Sequence, residues 1–576
     1  MLKLFRNLSK TDWLMVLGSI GLIVAQVWLD LELPDYMQEI TMLVQLPNTL
    51  MADLLSAGGK MLLCAFGSLL SSVLVSICVA RIATNFGATL RLKLFDRVQA
   101  FSMEEIGGFS TASLITRSTN DITQVQMLLV MGLQVIVKAP IMASWAIVKI
   151  ADKSWQWTFS TALTVGILLA MVAVVMIVVM PKFKLLQKLT DNLNRVTREN
   201  LTGIRVVRAY NAEGYQQAKF DEANRALTET HLFTQRSLAT LMPSIGFLMN
   251  GLSLAIYWIG AYLIHEASAM DQIVLFSNMV TFLSYAMQVV MSFMMLVIIF
   301  IILPRASVSA KRINEVLHTQ PRILDGTKTE GVSIGEVEFR DVSFRYPDAQ
   351  EAAVSHISFH ARKGETVAFI GATGSGKTTV VNLIPRFYDA TEGTVFVDGI
   401  DVREYTQEAL HAKLGYVAQK AVLFSGTVES NVNFGDNDCD RVLPALEIAQ
   451  AAEFVEKMPE GVQSYVAQGG SNLSGGPKQR VSIARAIARE PEILIFDDSF
   501  SALDYRTDRI LRDALKNTSA TKLIVAQRIG TIRDADCIVV LDEGEIAGIG
   551  THAELMQTCE TYRQIAYSQL SKEELS

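Results

Sequence analysis

Gly371-Ala372-Thr373-Gly374-Ser375-Gly376-Lys377-Thr378-Thr379 follows the apolar run Val367-Ala368-Phe369-Ile370 and opens a helical segment from Thr378 towards Pro385. Strand, glycine loop and helix in that order is the context that a phosphate-binding loop requires. Glycines let the backbone turn its N–H groups inward around phosphates, and the helix N-terminus adds positive potential. On this reading Gly371, Thr373, Gly374, Ser375, Gly376 and Thr379 belong to the cradle, and Lys377 reaches the β- and γ-phosphates. The Thr378 hydroxyl ligates Mg²⁺. A glycine-rich surface turn with an exposed lysine would need neither the preceding strand nor the following helix. The stretch predicts a nucleoside triphosphate site.

Around it the chain is sharply partitioned. Half of its 576 residues are apolar, and the apolar runs fall before about residue 304, several of them roughly 20 residues long, enough to span a bilayer. The remainder reads as a soluble α/β domain. The formal net charge of −7, with no basic stripe in the soluble half, argues against nucleic acid as a partner. Cys64, Cys78, Cys439, Cys537 and Cys559 are scattered and odd in number, and read as reduced packing residues. Met1 to Lys10 is short and basic. The apolar run behind it lacks a small-residue cleavage site and reads as an uncleaved span.

Six spans are expected, near 13–29, 59–80, 128–150, 158–180, 241–264 and 274–303. Lys3, Arg6 and Lys10 precede the first. Arg81, Arg91, Lys93 and Arg97 follow the second, and Lys182, Lys184, Lys188, Arg195, Arg198, Arg205 and Arg208 follow the fourth. The connection after the first span instead carries Asp30, Glu32, Asp35, Glu39 and Asp53. Basic loops stay in the cytoplasm, so both termini and the soluble domain are expected there, in a multi-pass protein of the cell membrane. The basic connections 81–127 and 181–240 have few helix breakers and read as helices leaving the bilayer, with turns near Met103–Ser113 and Glu199–Tyr210 at their far ends. Lys138, two residues before Pro140, either faces a partner or cavity within the membrane or snorkels to the inner interface. Met287, Met291, Met294 and Met295 recur at helical spacing in the sixth span. They suit ordinary packing or an adaptable apolar lining.

Further motifs follow the phosphate loop. Tyr346 ends the strand-like run from Val337 and stands before Pro347. Gln419 follows Gly415-Tyr416-Val417-Ala418. Leu473-Ser474-Gly475-Gly476-Pro477 opens a helical stretch, and Ile493-Leu494-Ile495-Phe496 ends in Asp497-Asp498. Ser501-Ala502-Leu503-Asp504 comes next, and Gln527 closes Ile524-Val525-Ala526-Gln527. In this order the motifs resemble an ATP-binding cassette (ABC) domain. With the six spans ahead of it, the whole chain resembles a half-transporter of the ABC exporter family. The fold this implies is an α-helical transmembrane domain (1–318), a linker (319–335) and an α/β P-loop cassette (336–576).

The resemblance implies that Tyr346 stacks on the adenine of ATP and that Thr378, Gln419 and Asp497 arrange Mg²⁺. Cassettes of this family meet head to tail, so Ser474, Gly475 and Gly476 would touch the γ-phosphate held by a partner. Pro477 replaces the usual glutamine there, at what reads as the first position of a helix, where proline is tolerated. Two departures touch the chemistry itself. Asp498 stands where the family usually has a glutamate that polarises the attacking water, and Gln527 stands where it usually has histidine. A carboxylate one methylene short falls back by roughly 1–1.5 Å, and misplacement on that scale can cost about a hundredfold in rate. The expectation is a degenerate site that holds ATP and hydrolyses it poorly. The chain would then be one half of a heterodimer with a homologous half-transporter that supplies the missing residues. Drug-like or lipid-like amphipathic compounds are the expected cargo, in contact with membrane lipid. An ATP-gated channel, or a lipid or peptide exporter of the same architecture, is the alternative.

Overall fold

The computed structural model describes residues 2–46, 49–151, 153–330, 335–347, 349–435 and 438–569. Residues 331–334 of the expected linker lie outside the described residues. The chain divides into two compact units, residues 1–98 with 111–319, and residues 99–110 with 320–576.

Apolar runs of this length can satisfy their backbone in a bilayer as helices, and among the described residues the first unit contains six helices long and apolar enough to cross a membrane. They are α1 (Lys10–Gln45), α2 (Met51–Gln99), α3 (Asn120–Ala151), α4 (Trp155–Thr202), α5 (Leu241–Glu266) and α6 (Ala269–His318). At 49 and 48 residues, α2 and α4 run far beyond the thickness of a bilayer, as the basic connections foretold. Ile204–Ala209 is a short helix between α4 and the helix Glu213–Ala239. The core of this unit gathers Ile23, Val27, Val79, Ala146, Trp157, Leu252 and Val289, with Trp157 and Phe282 rings 5.4 Å apart.

The acidic stretch after the first expected span is not a loop. Helix α1 continues through Pro34 to Gln45 and carries Asp30, Glu32, Asp35 and Glu39 on its outer end. The charges of Asp30, Glu32 and Asp35 are matched from α3. Lys138 Nζ lies 3.2 Å from Asp30, and Lys149 Nζ lies 3.4 Å from Glu32 and 2.5 Å from Asp35. Asp30 also accepts the Ser68 hydroxyl of α2, and Lys153 donates to Gln38 at 2.5 Å. Lys138 is therefore partnered, and its partner stands 18 residues along α1 from Asp12 of the helix's first turn. Of the methionine stripe, Met291 is exposed and Met287, Met294 and Met295 are half-buried, while Phe282, Tyr285, Ala286, Val289 and Val290 of the same helix are in the core. Cys439 is exposed, contrary to its reading as a packing residue.

The second unit begins with the short helix Met103–Phe109, capped by Ser102 and Glu105, whose Glu104 pairs with Arg322. Continuous apolar runs in the soluble half form a sheet whose parallel strands are largely buried on both faces, the pattern expected of them. Its strands are β1 (Thr366–Gly371), β2 (Leu414–Val417), β3 (Ile493–Asp497), β4 (Thr521–Val525), β5 (Cys537–Asp542) and β6 (Glu545–Gly550). The spatial order is β6-β5-β1-β4-β3-β2, with β6 antiparallel and the rest parallel. A second sheet, antiparallel, contains Val337–Phe344, Val354–Ala361 and Glu392–Val397. Because β1, β4, β3 and β2 are neighbours and parallel, the segments that follow them emerge side by side along one edge, where open α/β sheets bind ligands.

Candidate functional site

The phosphate-type loop leaves β1 and enters α7 (Lys377–Leu383). Gly376 has φ +92°, and a Cβ there would stand 2.4 Å from Val354 Cγ1. At Gly371 a Cβ would stand 2.0 Å from the Leu541 carbonyl oxygen of β5. Only glycine fits either position. Lys377 is 8% exposed, and its Nζ donates to Gly371 O at 2.9 Å, Ala372 O at 2.7 Å and Ser375 Oγ at 3.3 Å. Burial pulls its pKa down, against Asp498 and Asp497, which favour the charged form.

The other motifs converge on this loop. Thr378 Oγ1 donates to Asp497 Oδ1 at 2.8 Å, joining the start of α7 to the end of β3. Asp498, in the left-handed region at φ 49°, is buried. Its Oδ2 accepts Gln527 Nε2 at 2.8 Å and Gln419 Nε2 at 3.3 Å. The two unusual residues of the sequence are thus bonded to each other. Burial raises the pKa of both aspartates. The Thr378 bond opposes this at Asp497, and Gln419 opposes it at Asp498. Tyr346 places its hydroxyl 3.2 Å from Thr379 Oγ1, with its ring edge-on to Phe344 and Tyr388.

Tyr346, Thr373, Gly374, Gly376, Lys377, Thr378, Thr379, Gln419, Asp498 and Gln527 line one open cavity of about 750 Å³. Gly371 and Ser375 lie beneath it through Lys377, and Asp497 through Thr378. Glu351, Ala353, Glu543 and Gly544 also line the cavity and were not expected. Asp542-Glu543-Gly544 reads as a turn in sequence, but only the pairing of β5 with β1 brings it here.

Ser474, Gly475 and Gly476 are not among the residues lining this cavity. They begin the helix α8 (Gly475–Ala488), with Ser474 and Gly475 exposed. Pro477 is the third residue of that helix, not the first. It still lies in the first turn, where N–H groups lack intrahelical acceptors, so its missing N–H costs little. Ser474 has the extended backbone of a cap, but its side chain makes no capping bond. Proline at the third position removes one of the amides such a hydroxyl would accept.

A bundle of membrane-length helices fused to a P-loop sheet defines an ATP-dependent membrane transporter. Residues 17–314 match the ABC transporter transmembrane region, and residues 354–501 match the ABC transporter domain. The chain is 40% identical over 531 residues to an uncharacterized ABC transporter ATP-binding protein of Mycobacterium tuberculosis, covering 90% of this chain and 88% of that one. A Pseudomonas fluorescens ATP-dependent lipid A-core flippase is 29% identical over 496 residues, covering 84% and 81%. A bacterial Atm1-family ABC exporter solved with ATP bound superposes with a TM-score of 0.80 at 25% identity, over 97% of this chain and 99% of that one. The chain belongs to the ABC transporter family. It is an exporter half-transporter, a multi-pass membrane protein whose cassette binds ATP and couples it to transport.

Proposed function

We propose that this chain is the degenerate-site half of a heterodimeric exporter of amphipathic compounds. In this reading residues 1–318 are the membrane domain, 319–335 the linker and 336–576 the cassette. The observation that carries it is the engagement of Asp498. A glutamate at this place would have to present its carboxylate to water, whereas Asp498 spends one oxygen on two glutamine amides.

The residues fit ATP and Mg²⁺. The glycine cradle would be filled by any Cβ, a buried lysine supplies charge, and Thr378 with Asp497 forms a hydroxyl–carboxylate pair suited to a hard cation. Bound Mg²⁺ would neutralise charge on the phosphate oxygens. Lys377 would bind the phosphates, Tyr346 would orient the adenine, and Thr378, Gln419 and Asp497 would hold the metal. Gln527 offers a neutral donor where a histidine could also carry charge. Ser474, Gly475 and Gly476 would serve the partner's nucleotide.

Lipid-like or drug-like cargo is supported by the likeness to lipid A-core flippases and by the partly exposed methionine face of α6, which can adapt to varied apolar shapes. The test is ATP hydrolysis by the purified chain alone and after co-expression with a homologous half. Little turnover alone and a strong rise with the partner are expected. Robust turnover by this chain alone overturns the pairing.

A further inference from the structure

Helix α9 (Glu560–Gln569) is anchored by Tyr562 and Ala566, both fully buried. Spacing of four and then three residues puts Gln569 on the same face, one turn further on. Its side chain reaches the segment after β4. Nε2 donates to the Gln527 carbonyl at 2.7 Å, and Oε1 accepts the Ile529 N–H at 2.9 Å. A carbonyl and the N–H two residues later are the groups that a parallel strand would pair. Ala526 N–H still pairs with Phe369 O of β1 at 3.1 Å, and beyond it no strand continues the ladder. One carboxamide therefore takes the place of a strand partner at the end of β4. Gln527, held by its backbone, aims its own amide at Asp498.

We infer that Gln569 is a positioning residue for the ATP site, fixing the backbone at 527–529 and through it the aim of Gln527. The inference deepens the reading of Gln527 as the residue standing where the family usually has histidine, and does not depend on pairing with a second half. It also ties the rate of this site to the docking of α9, through Tyr562 and Ala566.

The experiment uses the full-length chain in lipid nanodiscs, with hydrogen exchange of residues 526–532 and single-turnover ATP hydrolysis as readouts. Gln569→Met keeps the length and removes both bonds, and Gln569→Glu keeps the acceptor and removes the donor. Gln569→Met is expected to speed exchange at 527–529 and slow hydrolysis, each about fivefold, the scale of one or two net hydrogen bonds. The apparent Tm and the KM for ATP should stay constant, and Gln569→Glu should fall between. Combined with Gln527→Ala, Gln569→Met should slow hydrolysis no further, because it acts only through that side chain. Unchanged exchange, faster exchange with unchanged hydrolysis, or losses that add in the double variant each overturn the inference. Robust turnover by the chain alone would remove the heterodimer reading and leave this coupling intact. Additive losses in a chain that hydrolyses poorly would do the reverse.

Discussion

Asp498 offers one carboxylate oxygen to two side-chain amides, at 2.8 Å and 3.3 Å, on a backbone held in the left-handed region. Lengthening it by a methylene would carry the carboxylate past those amides into the cavity. Histidine at 527 would add a donor that can become charged. The double change Asp498→Glu with Gln527→His is therefore expected to speed hydrolysis at this chain's own site by about a hundredfold, the scale of about 1 Å in placement. Single-turnover measurement on the full-length chain checks it, and an unchanged rate would mean that carboxylate reach does not limit this site. The cradle itself was legible residue by residue, because a strand–glycine loop–helix order forces both the glycines and Lys377 into place. The mutual bond between Asp498 and Gln527 was not legible. It depends on β3 and β4 lying side by side, and 29 residues separate the two positions. Gln569 gave no signal at all, since a glutamine near the end of a helix is ordinary and its partners lie 40 and 42 residues away.

Helices α1 and α3 show how an element can be read correctly in kind and wrongly in extent. The apolar run placed α1, but Pro34 and four carboxylates within ten residues look like a connection. The helix continues where lysines more than a hundred residues away in α3 match three of those charges, and no local pattern contains that information. The Lys138–Asp30 pair gives the element-scale prediction. Its side chains are 22% and 21% exposed, so each charge is largely withdrawn from water. Lys138→Ala leaves Asp30, among the described residues, with the Ser68 hydroxyl alone and is expected to destabilise the membrane unit by roughly 2–3 kcal/mol, below the usual figure for a fully buried pair. Lys138→Met with Asp30→Asn removes both charges and should recover most of that loss. Thermal unfolding in detergent compares the three proteins. Equal destabilisation by the single and double variants would show that the two charges are not coupled.

At the scale of the whole molecule the question is where one chain's residues act. The cavity beside the phosphate loop is lined by ten of the expected site residues, and Ser474, Gly475 and Gly476 are not among its lining. Ser474 and Gly475 are exposed at the start of α8, and the Ser474 side chain makes no capping bond within the chain. If the proposed pairing holds, Lys377 serves the slow site and the Ser474 segment serves the fast one. Lys377→Ala should then weaken ATP retention by this chain and leave turnover of the assembled transporter reduced only several-fold. Ser474→Arg places bulk and charge against the partner's nucleotide and should abolish nearly all turnover. A single lost donor typically costs about 10²–10³-fold, and a blocked approach of the two cassettes should cost more. Steady-state ATP hydrolysis by the co-expressed complex, with each change made in this chain alone, measures the difference. Should Lys377→Ala prove the more damaging and Ser474→Arg be tolerated, the asymmetry runs the other way, and this chain carries the working site despite Asp498 and Gln527.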